Sequence, residues 1–374
     1  MIPMNDLSIQ YKKLEVEIHN SIDRVLEHGK YIMGPEVLEL EKKLAEYVGV
    51  KYSVTCSSGT DALLMPLLAW GIGKGDAVFT TPFTFIATSE VVSLLGATPI
   101  FVDINPETFN MEPILLEQAI KKTIEEGRLK PRAVIPVDLF GLPADYEKLE
   151  AIAAKYNIKV LEDAAQGFGG RLMGRKAGSF GDAASTSFFP AKPLGCYGDG
   201  GAIFTNDLML YEALKSIRIH GQGIDKYDNR RLGINGRLDT IQAAILLSKL
   251  SIFDDELKLR NEVANKYTDG LKEILSVPQV PNGYRSSWAQ YAVLAKDYEE
   301  REVLMRALKD KDIQTTIYYQ KPLHLQTANV KLGYKEGDFV VTENISKRIF
   351  SLPMYPYLEK KALEEIIYTL RSIF

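Results

Sequence analysis

One lysine in the sequence, Lys192, stands in a setting that could give its amino group a chemical role. It lies in a loop between Pro190 and Pro193 and follows the apolar pair Phe188 and Phe189. The prolines restrict the backbone on either side, and apolar neighbours exclude water. Partial desolvation lowers the pKa of an amino group and makes its nitrogen a better nucleophile. A lysine taken alone is most often a solvated surface charge, but this setting argues against that interpretation.

The elements before this loop alternate between strand-like and helix-like segments, which predicts an α/β fold with a largely parallel sheet covered by helices. In such sheets the ligand lies beyond the carboxyl ends of the strands. Chemically useful side chains follow several predicted strands at that edge. They occur at residues 57–61, 82–85, 162–163 and 185–187.

Each of these segments has a functional and a plain structural interpretation. The small residues at 57–61 open a predicted helix, whose free N–H groups suit a phosphate, although an ordinary helix cap is the alternative. Phe85 could cover one face of an aromatic ring, or it could be core together with Phe83. Asp163 could keep a ring nitrogen protonated, or it could cap a helix.

A lysine motif and five further motifs together resemble one family of proteins. Ser187 and Phe188 stand five and four residues before Lys192, with Gly-Asp-Gly-Gly-Ala at residues 198–202, and the five further matches lie at residues 31–37, 58–62, 162–166, 233–237 and 322–326. The chain resembles the DegT/DnrJ/EryC1/StrS sugar aminotransferases over essentially its whole length. This resemblance implies an α/β fold of the fold type I class that depends on pyridoxal 5′-phosphate. It also implies a large domain with a mostly parallel seven-stranded sheet and a smaller C-terminal α+β domain.

The resemblance implies a role for each matching residue. Lys192 and Asp163 are the catalytic pair, in which the lysine holds pyridoxal phosphate as a Schiff base and moves protons, and the carboxylate faces the ring nitrogen. The other implied cofactor contacts are the stacking ring of Phe85, the side chain of Gln166 at the phenolic oxygen, and a phosphate site made by Gly59, Thr60, Ser187 and Asn235. The implied substrate contacts are Arg237, Tyr318, Tyr319 and His324.

A long polar loop from residue 218 to residue 236 bears on the oligomeric state. In the family this loop crosses into the neighbouring subunit, so the resemblance implies a homodimer with shared active sites. The plain alternative is that Asn235 and Gly236 form a turn and that Arg237 is a surface charge.

The substrate expected from the resemblance is a nucleotide-linked keto sugar, with L-glutamate as the amino donor, in the synthesis of cell-surface polysaccharide or glycan. Residues 188–201 look most like enzymes that aminate C3 of a UDP-linked 3-keto-N-acetylglucosaminuronic acid. Tyr318 and Tyr319 stand where many of those enzymes have His-Tyr. A dTDP-linked 3-keto sugar, or amination at C4 of a 4-keto-6-deoxy sugar, therefore stays open. Related dehydratases carry histidine in place of Lys192, so the lysine favours amino transfer.

Length and composition limit the number of domains and the classes of partner that the chain can have. The chain has 374 residues, which predicts two domains, over residues 1–250 and 251–374. The net charge of −4, without a block of like charges, suggests no nucleic-acid or membrane surface. Two cysteines and four scattered histidines suggest neither a disulfide framework nor a zinc site. With no leader-like segment at the N-terminus, we expect a cytoplasmic protein.

The part after residue 283 is expected to form the small domain. Its patterns predict strands over residues 288–294 and 313–318, and helices over residues 299–308, 342–349 and 359–373. Two other classes of function were weighed. A dinucleotide oxidoreductase is poorly supported, because no Gly-x-Gly-x-x-Gly opens an early helix. A cofactor-free regulator on the same fold stays open, since fold alone does not fix function.

Overall fold

The computed structural model of the chain describes residues 1–225 and 227–374. Twelve strands occur in this described part. They are β1 (Tyr52–Cys56), β2 (Asp76–Thr80), β3 (Thr98–Phe101), β4 (Lys130–Ile135), β5 (Lys159–Asp163), β6 (Arg171–Leu172), β7 (Arg175–Lys176), β8 (Ala183–Ser187), β9 (Gly201–Thr205), β10 (Tyr284–Arg285), β11 (Tyr291–Leu294) and β12 (Ile349–Leu352).

The helices of the described part include twelve α-helices and three short 3-10 helices. The α-helices are α1 (Ser8–His28), α2 (Pro35–Val48), α3 (Gly59–Ala69), α4 (Ala87–Leu94), α5 (Pro113–Glu126), α6 (Tyr146–Tyr156), α7 (Leu208–Ile217), α8 (Thr240–Leu250), α9 (Phe253–Leu271), α10 (Tyr298–Asp310), α11 (Val340–Arg348) and α12 (Lys360–Arg371). The 3-10 helices are Leu139–Gly141, Leu323–Leu325 and Thr327–Leu332.

A seven-stranded sheet with the order β1-β9-β8-β5-β4-β2-β3 forms the centre of the molecule. The five strands from β3 to β8 in this order pair in parallel, and β9 pairs antiparallel with both β8 and β1. Only β9 therefore runs against the others. The prediction of a mostly parallel seven-stranded sheet is confirmed.

Helices cover both faces of this sheet. One face packs against α3, α4 and α7, and the other packs against α5 and α6 and, nearer β1, against α2 and α8. A strand that is covered on both faces has a near-continuous apolar run rather than an alternation. In β2 all five residues are buried, and its three middle residues, Ala77, Val78 and Phe79, are apolar.

The parallel arrangement brings four strand ends to one edge of the sheet. The last residues of β1, β2, β5 and β8 are Cys56, Thr80, Asp163 and Ser187. The segments that follow these strands therefore meet at this edge, although they are far apart in sequence. We call it the carboxyl edge.

The C-terminal part has an apolar core of its own. The antiparallel pair β11 and β12 packs with α9, α10 and α12 around buried residues that include Tyr267, Tyr291, Leu304, Phe350 and Ile366. This second core supports a boundary close to residue 250, where α8 ends. The division into residues 1–250 and 251–374 remains a prediction.

Two predicted strands of the C-terminal part need correction. The strand predicted over residues 288–294 begins only at Tyr291, because Trp288 has a φ of 52°, which an extended strand does not contain. The strand predicted over residues 313–318 is wrong. Ile313 and Thr316 make only isolated bridges, to Ile2 and Ser351 respectively, so no ladder forms there.

The strand β12 and the helix α1 were not predicted. Residues 349–352 pair with β11, so the helix predicted over residues 342–349 ends one residue earlier, at Arg348. Helix α1 packs against α8 through Leu14 and Ile18. Among residues 1–225 and 227–374, no helix combines the length and the apolar character that crossing a bilayer requires.

Candidate active site

The loop that carries Lys192 joins β8 to β9 and is fixed at both ends. Ser187 and Gly201 pair across the two strands, and the N–H of Phe188 donates to the carbonyl of Gly200 at 2.8 Å. Inside the loop, the N–H of Lys192 donates to the carbonyl of Phe189 at 2.8 Å. The predicted restraint on the backbone is therefore present, and it holds Lys192 at the carboxyl edge.

Lys192 is half-buried, and its environment disfavours a charged amino group. Burial lowers the pKa of Lys192, and the charge of Asp163 opposes this shift in part. In the described part of the chain, no hydrogen bond or ion pair engages Nζ of Lys192. The nitrogen is thus available to a ligand.

Asp163 ends β5 beside the strand that leads to Lys192. Its side chain is buried and accepts hydrogen bonds from the hydroxyl of Thr88 at 2.8 Å and from the N–H of Ala165 at 3.2 Å. Burial raises the pKa of Asp163, while these two hydrogen bonds and the charge of Lys192 lower it. The carboxylate is fixed in position and, because it is desolvated, it interacts strongly with any cation that approaches.

Gln166 is held at both ends of its amide. The N–H of Phe140 donates to Oε1 at 2.7 Å, and Nε2 donates to the hydroxyl of Tyr319 at 3.0 Å. Burial raises the pKa of Tyr319, so its hydroxyl stays protonated at neutral pH. Tyr319, predicted as a substrate contact, is therefore bonded to a predicted cofactor contact.

The N-terminus of α3 forms a concave site next to Ser187. The side chain of Ser58 caps the helix by accepting from the N–H of Asp61 at 3.0 Å, so the plain cap interpretation is correct for Ser58. The preceding N–H groups of Gly59 and Thr60 have no acceptor within the described residues. A methyl group at Gly59 would lie 2.6 Å from Cβ of Ser187. Glycine therefore allows α3 and β8 to approach closely while two N–H groups stay free.

The two phenylalanines after β2 have different environments. Phe83 is fully buried, whereas Phe85 is 57% exposed. The carbonyl of Phe85 accepts from the N–H of Thr88 at 3.3 Å, which places its ring one helical turn before the threonine that binds Asp163. The exposed ring is free to cover a ligand, and the role of Phe85 remains a prediction.

Asn235 and Arg237, at the end of the long loop, make no side-chain hydrogen bond with the described residues named above. Asn235 is exposed, and Arg237 is half-buried with an Nε that is buried and without a partner. The carbonyl of Gly236, between them, accepts from the N–H of Ser57 at 3.2 Å, so this end of the loop lies beside α3. The loop over residues 218–236 includes Lys226, which lies outside the described residues.

His324 and Tyr318 show two further environments. His324 is buried, with Nε2 at 2.9 Å from Oε1 of Glu343 and its ring against Phe339. Its Nδ1 is buried without a partner. Tyr318 is half-buried, with its ring centroid 5.7 Å from that of Tyr319. The predicted substrate roles of both residues stay predictions, and His324 offers no exposed nitrogen in this structure.

Two contacts at the site were missed by sequence reasoning. Thr88 lies three residues after Phe85, and helical spacing could have placed it on the same side as that residue. Phe140 contributes only its backbone N–H, so its side-chain type gave no signal. Within the part that the structure describes, no group of three or more His, Cys, Asp or Glu is placed to hold a metal ion.

The side chains at the carboxyl edge fit pyridoxal phosphate. Free N–H groups at a helix N-terminus suit its phosphate. The buried carboxylate of Asp163 suits its ring nitrogen, and the unengaged nitrogen of Lys192 suits its aldehyde. The close approach at Gly59 leaves the phosphate site without a Cβ that would fill it.

Comparison with known proteins agrees with this geometry. The profile of the DegT/DnrJ/EryC1/StrS aminotransferase family matches residues 12–371. The UDP-2-acetamido-2-deoxy-3-oxo-D-glucuronate aminotransferase of Pseudomonas aeruginosa is 45% identical over 367 residues, which are 98% of each chain.

Solved structures give the same result. A DegT DnrJ EryC1 StrS aminotransferase from Brucella abortus superposes with a TM-score of 0.97 at 49% identity, covering 100% of this chain and 99% of the other. The PLP form of a putative sugar aminotransferase from Streptococcus pneumoniae superposes with a TM-score of 0.88 at 26% identity, covering 95% of each chain. The predicted fold class is confirmed.

Proposed function

Because the chain belongs to the DegT/DnrJ/EryC1/StrS aminotransferase family, we propose that it transfers an amino group from an amino acid, L-glutamate by family inference, to a nucleotide-linked keto sugar. The family's aminotransferases bind pyridoxal phosphate, and this cofactor is assigned to the chain. The observation that carries the proposal is the meeting of Lys192, Asp163 and the N-terminus of α3 at the carboxyl edge.

When bound, pyridoxal phosphate supplies an aldehyde that bonds to an amine nitrogen and a ring that withdraws electrons from the reacting carbon. Lys192 would provide the amine that holds this aldehyde. Its lowered pKa leaves a larger fraction of the nitrogen unprotonated and nucleophilic. With an amino donor bound in the site, Nζ of Lys192 would be free to take a proton and return it, as general base and then general acid.

The other residues orient the cofactor and supply charge and hydrogen bonds to it. Asp163, fixed by Thr88, would hold the ring nitrogen and favour its protonated form. Gln166 is held by Phe140 and Tyr319 and donates toward the phenolic oxygen. Gly59, Thr60 and Ser187 would hold the phosphate, and Phe85 would cover one ring face. We propose these roles for the individual residues.

For the sugar, we favour C3 of a UDP-linked 3-keto-N-acetylglucosaminuronic acid. The support is the 45% identity with the Pseudomonas aeruginosa aminotransferase, whose name gives a 3-oxo-glucuronate substrate. A dTDP-linked 3-keto sugar and a 4-keto-6-deoxy sugar are the competitors. The half-buried Arg237 suits a substrate carboxylate or phosphate, because guanidinium forks onto such groups in a bidentate manner.

The working unit is proposed to be a homodimer with shared sites. The support is the exposed position of Asn235 at the end of a long loop, beside a half-buried Arg237 whose Nε lacks a partner. A neighbouring subunit would provide the anionic groups that these two side chains suit. A cytoplasmic location is the accompanying prediction from the sequence.

One experiment tests the activity and ranks the substrates. The purified protein should show the visible absorbance of lysine-bound pyridoxal, which L-glutamate should convert to the pyridoxamine form. That form is then offered a panel of UDP- and dTDP-linked 3-keto and 4-keto sugars, and return of the original absorbance identifies the acceptor. A colourless wild-type protein that responds to no member of the panel would contradict the proposal and favour a cofactor-free regulator. The Lys192→Ala protein, which should not turn over, is the control.

A further inference from the structure

Two carboxyl groups, Asp138 and Glu162, lie together behind the proposed cofactor residues. Both residues are 0% exposed, and their side chains are within hydrogen-bond reach of each other. No lysine, arginine or histidine of the described residues forms an ion pair or a hydrogen bond with either carboxyl group, and the charge of Asp163 raises the pKa of Asp138. The other titratable groups that face the pair are Tyr146 at the start of α6 and Tyr284 of β10. Two buried carboxylates without a cation cannot both stay ionised at little cost.

The hydrogen bonds of the pair leave one oxygen without a donor. Oδ1 of Asp138 accepts from the N–H of Ala144 at 3.0 Å and from the hydroxyl of Tyr146 at 2.8 Å. The two oxygens of Glu162 accept from backbone N–H groups in the loop after β7, at 2.7 and 2.8 Å. Oδ2 of Asp138 is buried without a partner. A carboxyl proton on Glu162 would supply the missing donor.

We propose that Glu162 carries a proton at neutral pH and donates it to Oδ2 of Asp138, and that this shared proton makes the pair a positioning element for Asp163 and Gln166. The positioning role of the pair rests on the proposed function, in which Asp163 and Gln166 hold the cofactor ring. The pair then carries one negative charge instead of two. The oxygen atoms of both side chains are all engaged, so the buried polar group is satisfied.

The location of the pair explains how it acts on the site. Glu162 directly precedes Asp163 in β5, and the N–H of Asp138 donates to the carbonyl of Asp163 at 3.0 Å. Asp138 also begins the turn in which the N–H of Phe140 binds Oε1 of Gln166 at 2.7 Å. The shared proton thus ties the strand that carries Asp163 to the turn that orients Gln166.

The close packing around the pair shows that its geometry is specific. A methyl group at Gly167 would lie 2.3 Å from Oδ2 of Asp138, so this oxygen is pressed against the residue that follows Gln166. Burial is the main cause that raises the pKa of both carboxyl groups, and the hydrogen bond between them raises that of Glu162 and lowers that of Asp138. These directions agree with a proton on Glu162.

Infrared spectroscopy of the cofactor-loaded protein tests the shared proton directly. The wild type near neutral pH should show the carbonyl band of a protonated carboxyl group, and labelling glutamate alone with carbon-13 should shift that band. In Asp138→Asn the new amide would donate to Glu162, which then needs no proton, so the band should be lost. Asp163→Asn, the control, should keep it. A wild-type spectrum without the band, a band that ignores the glutamate label, or one that persists in Asp138→Asn would overturn the proposal.

The pH dependence of unfolding gives a second measurement. The unfolded chain releases carboxyl protons above about pH 5, whereas the folded pair keeps one. Stability is therefore lost as the pH rises, until the folded pair itself ionises. Over that window the unfolding equilibrium constant of the wild type should rise about tenfold per pH unit relative to Asp138→Asn. Equal slopes would contradict the shared proton.

The positioning half needs a variant that breaks the pair. In Glu162→Leu, no side-chain group remains to donate to Oδ2 of Asp138, and two backbone N–H groups lose their acceptors. Asp103→Leu is the matched control, because Asp103 also accepts from backbone N–H groups, among them those of Val341 and Thr342, each at 3.0 Å. Both variants should be destabilised, but only Glu162→Leu should weaken pyridoxal phosphate binding, by about tenfold or more in an absorbance titration.

Equal cofactor affinity in the two variants would show that the pair has only a structural role. It would overturn the proposal that the pair positions Asp163 and Gln166. The outcomes also separate this inference from the proposed function. If the wild type binds no pyridoxal phosphate at all, the proposed function fails, whereas the infrared band and the unfolding slope still decide on the shared proton.

Discussion

The hydroxyl of Thr88 donates a hydrogen bond of 2.8 Å to Oδ2 of Asp163, across 75 residues of sequence. Both residues are buried, and this bond is the largest of the effects that lower the pKa of Asp163 against its burial. The first turn of α4 therefore favours the ionised form of a desolvated carboxyl group at the end of β5.

Thr88→Val should remove this bond while keeping the shape of the side chain. A hydrogen bond to a charged group contributes about 1.5–3 kcal/mol, so we expect the rate of the chemical step to fall about tenfold or more. Since Asp163 acts as a carboxylate and its pKa rises further without the donor, the acidic limb of the pH–rate profile should move to higher pH. Single-turnover rates across the acidic range measure both effects.

Ser89→Ala is the control for this prediction. Ser89 is also buried in α4, but its hydroxyl donates to the carbonyl of Ile86 at 3.2 Å and not to Asp163. Its acidic limb should stay at the wild-type position. An unmoved limb in Thr88→Val would show that the threonine does not set the ionisation of Asp163.

A second prediction concerns the phosphate site. Gly59→Ala would place a methyl group 2.6 Å from Cβ of Ser187, so α3 or β8 must shift. We expect pyridoxal phosphate to bind at least tenfold more weakly, as measured by cofactor titration. Gly73→Ala is the control, because its new methyl group would meet only the carbonyl of Leu95, at 3.7 Å. Tight binding by Gly59→Ala would place the phosphate elsewhere.

The buried ion pair between Glu41 and Arg218 gives a prediction for stability. Glu41 of α2 also accepts from the N–H and the hydroxyl of Thr55, both at 2.9 Å, so α2, β1 and the base of the long loop are joined. Arg218→Met should cost about 3–5 kcal/mol of unfolding free energy, because it leaves Glu41 buried without a cation.

The double variant of this pair provides the check. Glu41→Gln combined with Arg218→Met should cost less than the sum of the two single changes, because the unpaired buried charge is gone. Denaturant titrations of the four proteins give the coupling. Strict additivity would argue that the two side chains do not depend on each other.

Subunit mixing tests the shared site. Lys192→Ala and Arg237→Ala proteins should each be inactive, but hybrid dimers would contain one intact site if Arg237 serves the neighbouring subunit. Activity should then recover toward half of the wild-type dimer value per hybrid. No recovery, with exchange demonstrated by a tag on one subunit, would place Arg237 in the site of its own chain.

The sequence predicted the central sheet and its helices well because their signals are local. Strands buried on both faces carry apolar residues at consecutive positions, as Ala77, Val78 and Phe79 do in β2. The C-terminal part was predicted less well, since the conformation of Trp288 and the pairing of Ile349–Leu352 with β11 depend on distant residues.

The candidate site shows the same division. Lys192, Asp163 and Gly59 stood out because residue type and motif spacing identified them. Thr88 and Phe140 did not, since one contributes a common hydroxyl and the other a backbone N–H. The pair of Asp138 and Glu162 was missed because only the fold brings residue 138 next to residue 162.

The carboxyl edge also has a consequence for the order of folding. Gly59, Asp163, Lys192 and Tyr319 meet there across intervals of up to 260 residues, and contacts of such separation close slowly because much chain entropy is lost first. Helices and local turns do not need those contacts. In refolding experiments, the capture of pyridoxal phosphate should therefore lag behind the recovery of helical circular dichroism, so the cofactor chromophore would report the completion of the native topology.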